Sequence, residues 1–179
     1  EADVVCVAPA TADFLARAAS GRADDLITTT LLAPPAPVVL CPAMNDGMWS
    51  HPRVGANVDL LRSQPGIRIA GPGVGPLAAG EGSGAGRMLE PEEIIEHIGR
   101  ALAGSGPLAG RSVLVTSGPT REPIDPVRFI GNRSSGRMGH AVAAAAWRRG
   151  AEVTLVSGPT HLPDPTGVEV VRVETTAQM

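Results

Sequence analysis

Short runs of apolar, β-branched residues alternate along this chain with longer helix-like segments, several of them rich in alanine. The runs predict strands at Val4–Ala8, Val38–Cys41, Ile67–Ala70, Val113–Thr116, Val153–Val156 and Val168–Val171. The longer segments predict helices at Ala12–Ala19, Ala23–Leu32, Arg53–Ser63, Pro91–Leu102 and Gly139–Arg149. Strands that are apolar throughout and separated by helices are typical of parallel sheets covered on both faces. The pattern therefore predicts an α/β fold.

A stretch of small residues from Ala103 to Gly110 interrupts this alternation. It follows a helix that is well marked by Pro91 and by acidic residues in its first turn. A second strand and helix pattern begins at Arg111. We therefore expect two domains, residues 1–105 and 110–179.

Composition narrows the classes of partner. Among 179 residues the net charge is −3, which gives no basic field for nucleic acid or an anionic membrane surface. Aromatic residues make up 2% of the chain, too few for a base-stacking platform. No long apolar run, signal peptide or metal-ligand spacing is present, so we expect a cytoplasmic protein without a metal site. Both cysteines lie in apolar runs and are expected to be buried thiols.

The segment from Ser117 to Gly139 joins a predicted strand to a predicted helix and is rich in glycine, proline, arginine and hydroxyl groups. Such loops lie at the carboxyl ends of strands, where ligands bind in open α/β sheets. Ser134, Ser135 and Gly136 occupy the positions where the free amides of the helix should begin, a natural phosphate site. The alternative is an ordinary surface connection, although structureless loops of this length are uncommon in compact domains.

Three loops of the first half are further candidates. Thr11 follows the first strand, and its hydroxyl could bind a phosphate or a ribityl chain. The alternative is that Thr11 only caps the following helix. Asn45 follows the second strand and could hold a carboxylate or amide, whereas Met44 beside it is more typical of packing. The stretch from Gly71 to Arg87 is rich in glycine, and its last part, Ala79 to Met88, is interpreted as a mobile flap with one fixed cation, Arg87, with a disordered linker as the alternative.

The sequence lacks the nucleotide-binding motifs of dehydrogenases and of P-loop enzymes. No Gly-x-Gly-x-x-Gly fingerprint opens a strand-to-helix turn, and no Walker Gly-Lys-Ser occurs. A dehydrogenase with a variant nucleotide loop is therefore improbable. The chain opens directly in a strand and closes at a helix-cap signal around Thr175 and Thr176, so a fragment of a longer protein is expected.

Taken in order, these loops resemble one family. The motifs are Pro-Ala-Thr-Ala-Asp at 9–13, Pro-Ala-Met-Asn at 42–45, the flap from Gly80 to Met88, and the stretch from Gly118 to Gly139. They resemble the bacterial bifunctional phosphopantothenoylcysteine decarboxylase/phosphopantothenate–cysteine ligases of coenzyme A biosynthesis. The resemblance implies the C-terminal half of a flavodoxin-like, Rossmann-type three-layer domain, followed by the start of a second Rossmann-like α/β domain.

For the first domain, the resemblance implies an FMN-dependent lyase that decarboxylates 4'-phosphopantothenoylcysteine to 4'-phosphopantetheine. It assigns FMN binding to Pro9, Thr11 and Thr28. It also implies that Asn45 is the catalytic residue that binds the departing carboxylate.

The flap carries a departure from the family pattern. The resemblance implies that Met44 and Arg87 contact the substrate. In the family a flap cysteine protonates the enethiol intermediate, but alanine, Ala79, stands at that position here and cannot donate a proton. This leaves open an alternative, a non-catalytic FMN-binding regulatory homologue.

For the second domain, the resemblance implies a ligase that uses CTP with Mg²⁺ to join cysteine to phosphopantothenate. Asn132 is assigned to the acyl-cytidylate intermediate, and Gly118, Ser134, Ser135 and Gly136 to the CTP phosphates. The family further implies a homo-oligomer and small-molecule substrates. The fragment by itself is expected to be inactive.

Overall fold

The computed structural model describes residues 2–33, 36–103 and 106–179. It divides into two compact units, Glu1–Leu102 and Ala103–Met179, which are described separately. Residues 104 and 105 of the predicted domain boundary lie outside the described residues. Residue 1, the first residue of the predicted first domain, also lies outside them.

The described residues of the first unit form a parallel sheet, five helices and a hairpin. Its sheet strands are β1 (Val5–Ala10), β2 (Val38–Pro42) and β3 (Ile67–Ile69), with β2 in the centre. The helices are α1 (Ala12–Ala19), α2 (Leu26–Leu32), α3 (Asp46–Trp49), α4 (Pro52–Arg62) and α5 (Pro91–Ala103). The hairpin pairs β4 (Gly73–Pro76) with β5 (Ser83–Arg87) in antiparallel orientation.

Strand β2 shows how the layers form. All five of its residues are buried, and successive side chains point to opposite faces. Val38 and Leu40 join one cluster with α1 and α4, and Val39 and Cys41 join another with α5. The unit is therefore a three-layer α/β/α arrangement, which confirms the predicted class.

Local signals explain where these helices begin. The hydroxyl of Thr11 accepts a hydrogen bond from Phe14 N and caps α1, and the carboxylate of Asp25 caps α2. The α2 helix starts three residues later than predicted because Asp25 takes the N-cap position. His51 caps α4, whose first residue is Pro52.

In the second unit, residues 106–179 form one helix and two small sheets. Strands β6 (Ser112–Ser117), β9 (Glu152–Ser157) and β10 (Glu169–Arg172) form a parallel sheet with β9 in the centre. Strands β7 (Arg121–Pro123) and β8 (Phe129–Gly131) form an antiparallel hairpin, and helix α6 spans Arg137–Arg148. The core consists of Ala143, Ala146 and Trp147 of α6 packed on Val153 and Leu155 of β9.

One expectation holds only in part. Of the sheet strands, β2 is buried on both faces, whereas β6 alternates, and its Leu114 is 70% exposed. No described element of the second unit covers that face of β6. Two hairpins and the short helix α3 were not predicted, because glycine-rich strands and single-turn helices give no apolar period to follow.

Candidate functional site

The first candidate site lies at the carboxyl end of β2. Asn45 follows this strand and caps α3, since its Oδ1 accepts a hydrogen bond from Gly47 N at 2.9 Å. This bond leaves both hydrogens of the Asn45 amide without an acceptor among the described residues. A half-buried amide with two unused donors is suited to bind a carboxylate.

The β4–β5 hairpin docks directly against this loop. Met44 N donates to Gly86 O at 3.0 Å, and Gly86 has a φ of +142°. A Cβ at Gly86 would lie 2.2 Å from Met44 O, and one at Gly84 would lie 2.8 Å from Asp46. Glycine is therefore required where the hairpin backbone approaches the Asn45 loop.

Hairpin and loop enclose a cleft of about 390 Å³. Asn45 and Met44 line one side, and Arg87 lines the other, so the structure brings together these three predicted residues. Ala79 is not part of the lining, although Ala78 and Glu81 of the same loop are. The residues that line the cleft are Ala43, Met44, Asn45, Pro76, Leu77, Ala78, Glu81, Gly86, Arg87 and Met88. The walls are mainly apolar, with one amide, one carboxylate and one guanidinium.

Arg87 is engaged by the protein itself. One of its terminal nitrogens pairs with Glu90 Oε1 at 2.5 Å, and the other lies 3.5 Å from Pro76 O. Both side chains of this ion pair are exposed to solvent. An anionic ligand in the cleft would therefore have to share Arg87 with Glu90.

Pro9 and Thr11 lie at the carboxyl end of β1, outside the lining of the cleft. The Thr11 hydroxyl accepts from Phe14 N at 3.2 Å, and its own hydrogen remains available to a ligand. The residues after β1 thus combine an exposed hydroxyl with the first turn of α1.

Thr28 is placed differently from these two residues. Its side chain is 1% exposed, and its hydroxyl both accepts from Asp25 N and lies 2.9 Å from Asp25 Oδ1. The backbone N–H of Thr28, which donates to Asp25 Oδ1 at 2.7 Å, and then the Thr28 hydroxyl lower the pKa of Asp25 to about 2, with a smaller contribution from Arg17. Thr28 could bind a ligand through its hydroxyl only by giving up this capping box.

The second candidate site is the start of α6. Helices α1 to α4 are each capped by a side chain, but α6 begins at Gly136 (φ +77°) with no side-chain cap. The amides of Arg137, Met138 and Gly139 have no acceptor within the described part of the chain. An uncapped helix N-terminus presents amide donors and a positive dipole end to an anion.

Buried hydrogen bonds between Ser117, Gly136 and His140 hold the first turn of α6 in place. Ser117 Oγ donates to Gly136 O at 2.8 Å, and His140 Nδ1 lies 3.0 Å from both oxygens. Ser117 and His140 are 6% and 7% exposed. A Cβ at Gly139 would lie 2.4 Å from Ser117 Cβ, so the helix can approach β6 only with glycine there.

The predicted phosphate residues do come together. Gly118, Ser134, Ser135 and Gly136 line one cleft of about 540 Å³. Asn132 is outside its lining but holds the loop, because its Oδ1 accepts from Ser134 N at 2.9 Å. The guanidinium groups of Arg133 and Arg137 are exposed nearby in sequence and have no ion-pair partner among the described residues.

The β7–β8 hairpin leads into Asn132 and is tied at its other end. Glu122 Oε1 accepts from both Thr176 N and Thr176 Oγ1, at 2.8 and 2.7 Å. These two bonds lower the pKa of Glu122. The loop carrying Asn132 is therefore anchored through Glu122 on one side and through Gly136 on the other.

Sequence reasoning missed Glu81, Ser117, Glu122 and His140. Ser117 stands beside the predicted Gly118, but nothing in the sequence spacing of the four marks them as part of a site. The position of His140, four residues after Gly136, was the one available signal, because such a residue lies over the first turn of the helix.

Other observations concern the whole chain. Within the described residues, no cluster of three or more His, Cys, Asp or Glu side chains could hold a metal ion. None of the described helices has the length and apolar character needed to cross a membrane. The expectation of two buried thiols was half wrong, because Cys41 is buried but Cys6 is exposed.

Comparison with known families supports both units. Residues 1–103 match the model of the family described as Flavoprotein. Residues 108–179 match the family described as DNA/pantothenate metabolism flavoprotein C-terminal domain.

Similar curated proteins extend over the whole chain. The Coenzyme A biosynthesis bifunctional protein CoaBC of Mycobacterium tuberculosis (strain ATCC 25618 / H37Rv) is 55% identical over 100% of this chain and 44% of its own length. The CoaBC protein of Escherichia coli (strain K12) is 49% identical over 99% of this chain and 43% of its own length. The chain thus spans less than half the length of these relatives.

A solved structure is similar to part of the chain. A cysteine-to-serine mutant of PPC decarboxylase, complexed with pantothenoylaminoethenethiol, is 33% identical with a TM-score of 0.51. The similarity covers 54% of this chain and 53% of that one. Together with the family matches, it shows that the chain belongs to the flavoprotein family and is homologous over its length to the bifunctional coenzyme A biosynthesis proteins.

Proposed function

We propose that this chain is a segment of a bifunctional enzyme of coenzyme A biosynthesis. Residues 1–105 would belong to an FMN-dependent phosphopantothenoylcysteine decarboxylase, and residues 110–179 would begin a CTP-dependent phosphopantothenate–cysteine ligase. The observation that carries the decarboxylase assignment is Asn45, which has two amide hydrogens unbonded by the described residues and lines the cleft beside the hairpin, in the unit that matches the flavoprotein family. A homo-oligomer and a cytoplasmic location are part of the same proposal.

The residues at the end of β1 fit a flavin mononucleotide. The free hydroxyl hydrogen of Thr11 and the exposed backbone around Pro9 suit a phosphate or ribityl chain, and Thr28 would hold the neighbouring turn in place. When bound, the flavin supplies the oxidation and reduction at the substrate sulfur and its carbon.

Asn45 would bind the substrate carboxylate through the two N–H groups of its amide. The apolar lining of the cleft, including Met44, disfavours a charged carboxylate and favours its loss as neutral carbon dioxide. Arg87 would bind an anionic part of the substrate in exchange for Glu90. The hairpin would limit the access of water to the reacting group.

In the second unit, the uncapped start of α6 would bind the CTP phosphates. The hydroxyl groups of Ser134 and Ser135 and the free amides that follow Gly136 belong to the same cleft, and Mg²⁺ would accompany the nucleotide as part of the co-substrate. Asn132 would contact the acyl-cytidylate with its amide, whose oxygen already holds Ser134 N. The amine of cysteine then displaces CMP to form phosphopantothenoylcysteine.

The decarboxylase proposal is tested with the full-length protein carrying FMN and supplied with phosphopantothenoylcysteine. Release of carbon dioxide is the expected result. If FMN is bound but no carbon dioxide appears, the proposal fails. That outcome would favour the second candidate, a non-catalytic FMN-binding regulatory homologue, for which the alanine at position 79 is the supporting observation.

The ligase proposal is tested with Asn132→Ala in the full-length protein. We expect accumulation of acyl-cytidylate or loss of activity, because the contact to the acyl intermediate is removed. Asn57→Ala, the same change on α4 of the first unit and outside the lining of both clefts, is the matched control and should keep wild-type ligase activity. Normal CMP formation together with a normal yield of product from Asn132→Ala would refute the role of Asn132.

A further inference from the structure

Among the described residues that line the cleft under the β4–β5 hairpin, none carries a thiol. The two alanines of the hairpin loop, Ala78 and Ala79, carry no proton that they can transfer. If the proposed decarboxylase reaction runs to its reduced product, another group has to protonate the enethiol carbon. The similar PPC decarboxylase that was solved in complex with pantothenoylaminoethenethiol is a cysteine-to-serine mutant.

We propose that Glu81 is the general acid that completes the reaction in this protein, an assignment that rests on the proposed decarboxylase function. Among the described residues that line the cleft, the ionisable side chains are Glu81 and Arg87. Arginine remains protonated in proteins, and Arg87 is also paired with Glu90. Glu81 is the lining group able to give a proton and regain it from solvent.

The hairpin loop places Glu81 over the cleft. Leu77 N donates to Gly82 O, and Glu81 N donates to Ala78 O, both at 2.9 Å, so residues 78–81 form a tight turn. Gly80 and Gly82 have φ values of +88° and +79°, which permit this turn. As the first and last residues of the turn, Ala78 and Glu81 both line the cleft, whereas Ala79 between them does not.

The step balances as follows. The double-bond carbon that does not carry the sulfur of the enethiolate takes a proton from the Glu81 carboxyl group. One O–H bond breaks and one C–H bond forms. The electron pair on sulfur becomes the second bond of a thioaldehyde, and Glu81 is left as a carboxylate. The thioaldehyde carbon would then accept a hydride from a reduced flavin, and the sulfur would be protonated to give the thiol. Solvent returns a proton to Glu81.

The test compares Glu81→Gln with the wild type in the full-length, FMN-loaded protein supplied with phosphopantothenoylcysteine under anaerobic conditions. The matched control is Glu92→Gln, which changes an exposed carboxylate on α5 outside the cleft lining. Three readouts are recorded: carbon dioxide release, product mass, and the visible absorbance of the flavin.

We expect Glu81→Gln to bind FMN and release carbon dioxide, while phosphopantetheine formation falls about 10²-fold or more, the usual contribution of a positioned acid. Its product should be two hydrogens short, and its flavin should remain bleached. The Glu92→Gln protein should behave as the wild type.

Other results overturn the assignment in distinguishable ways. Full phosphopantetheine formation by Glu81→Gln, or an unreduced product from the wild type, would remove the role of Glu81 and leave the decarboxylase proposal intact. Loss of carbon dioxide release in Glu81→Gln with FMN still bound would refute a role confined to the last protonation. No release by the FMN-loaded wild type would refute the proposed function itself.

Discussion

At the scale of single residues, Asn45 has two tasks that its chemistry separates. Its amide oxygen caps α3, and its side chain lines the cleft with both amide hydrogens unbonded by the described residues. A substitution that removes both tasks would not show which of them matters for the reaction. Replacement by aspartate keeps an oxygen acceptor for Gly47 N but removes the donors and adds a negative charge.

We predict that Asn45→Ala and Asn45→Asp both lose carbon dioxide release by about 10²-fold or more, as when an oxyanion donor is removed. FMN should remain bound in both variants. Only Asn45→Ala should also lose about 1 kcal/mol of stability, from the missing cap. Rapid decarboxylation by Asn45→Asp, with release and thermal midpoint measured in parallel, would contradict carboxylate binding by the amide.

At the scale of elements, the β4–β5 hairpin depends on close backbone contact with the Asn45 loop. Gly86 and Gly80 both have positive φ, so alanine strains the backbone at either position. They differ in their surroundings, because a Cβ at Gly80 has no atom within 4 Å whereas one at Gly86 meets Met44 O. Comparing alanine substitutions at Gly86 and Gly80 therefore distinguishes the effect of hairpin docking from the effect of backbone strain within the hairpin.

We predict that Gly86→Ala displaces the hairpin and raises the KM for phosphopantothenoylcysteine well above that of Gly80→Ala. The thermal midpoint of Gly86→Ala should also be the lower of the two. Steady-state carbon dioxide release and thermal unfolding of the FMN-loaded protein measure these effects. Equal behaviour of the two variants would show that the hairpin is not held at Gly86.

Helix α5 carries a pH-dependent contribution to stability. Burial of His97, with Arg68 and Arg100 nearby, lowers its pKa to about 4, while Glu96 acts in the opposite direction. Between about pH 4 and the ordinary histidine value near pH 6.5, the unfolded chain binds more protons at this position than the folded one. Stability should therefore rise with pH in this window and fall as the solution is acidified.

We predict that His97→Gln flattens this rise, because glutamine carries no proton to titrate. The measurement is the thermal midpoint of the wild type and the variant at a series of pH values from 4 to 7. His161→Gln, on an exposed loop of the second unit, is the control and should keep the wild-type slope. An unchanged slope in His97→Gln would show that other groups cause the acid sensitivity.

The elements also show what a sequence can and cannot predict. Strands β2 and β9 were predicted within one residue at each end, because each is a short apolar run that proline, or polar residues and glycine, interrupt on both sides. The β4–β5 hairpin was interpreted as a flap without strands, since its pairing depends on a distant contact at Met44 and not on local propensity. The hydroxyl of Thr28 shows the same limit, because the capping box that occupies it is visible only in the structure.

At the scale of the whole molecule, two compact units each place a candidate site at the carboxyl ends of a parallel sheet. Asn45 and its hairpin belong to the first unit, and the uncapped start of α6 belongs to the second. The placement of ligands at this edge is the general behaviour of open α/β sheets. Each site is built from residues of its own unit.

We therefore predict that the two activities can be removed one at a time in the full-length protein. Asn45→Ala should still convert phosphopantothenate, cysteine and CTP to phosphopantothenoylcysteine, which would accumulate. Asn132→Ala should still decarboxylate phosphopantothenoylcysteine that is supplied to it. Separate assays of CMP and carbon dioxide check this, and joint loss of both activities in either variant would contradict independent sites.

The most direct test of the central claim is the mass of the product that the full-length protein forms from phosphopantothenate, cysteine, CTP with Mg²⁺, and FMN. The account predicts 4'-phosphopantetheine, together with CMP and carbon dioxide. An FMN-loaded protein that yields neither CMP nor carbon dioxide would contradict the account and identify the chain as part of a flavin-binding protein without these activities.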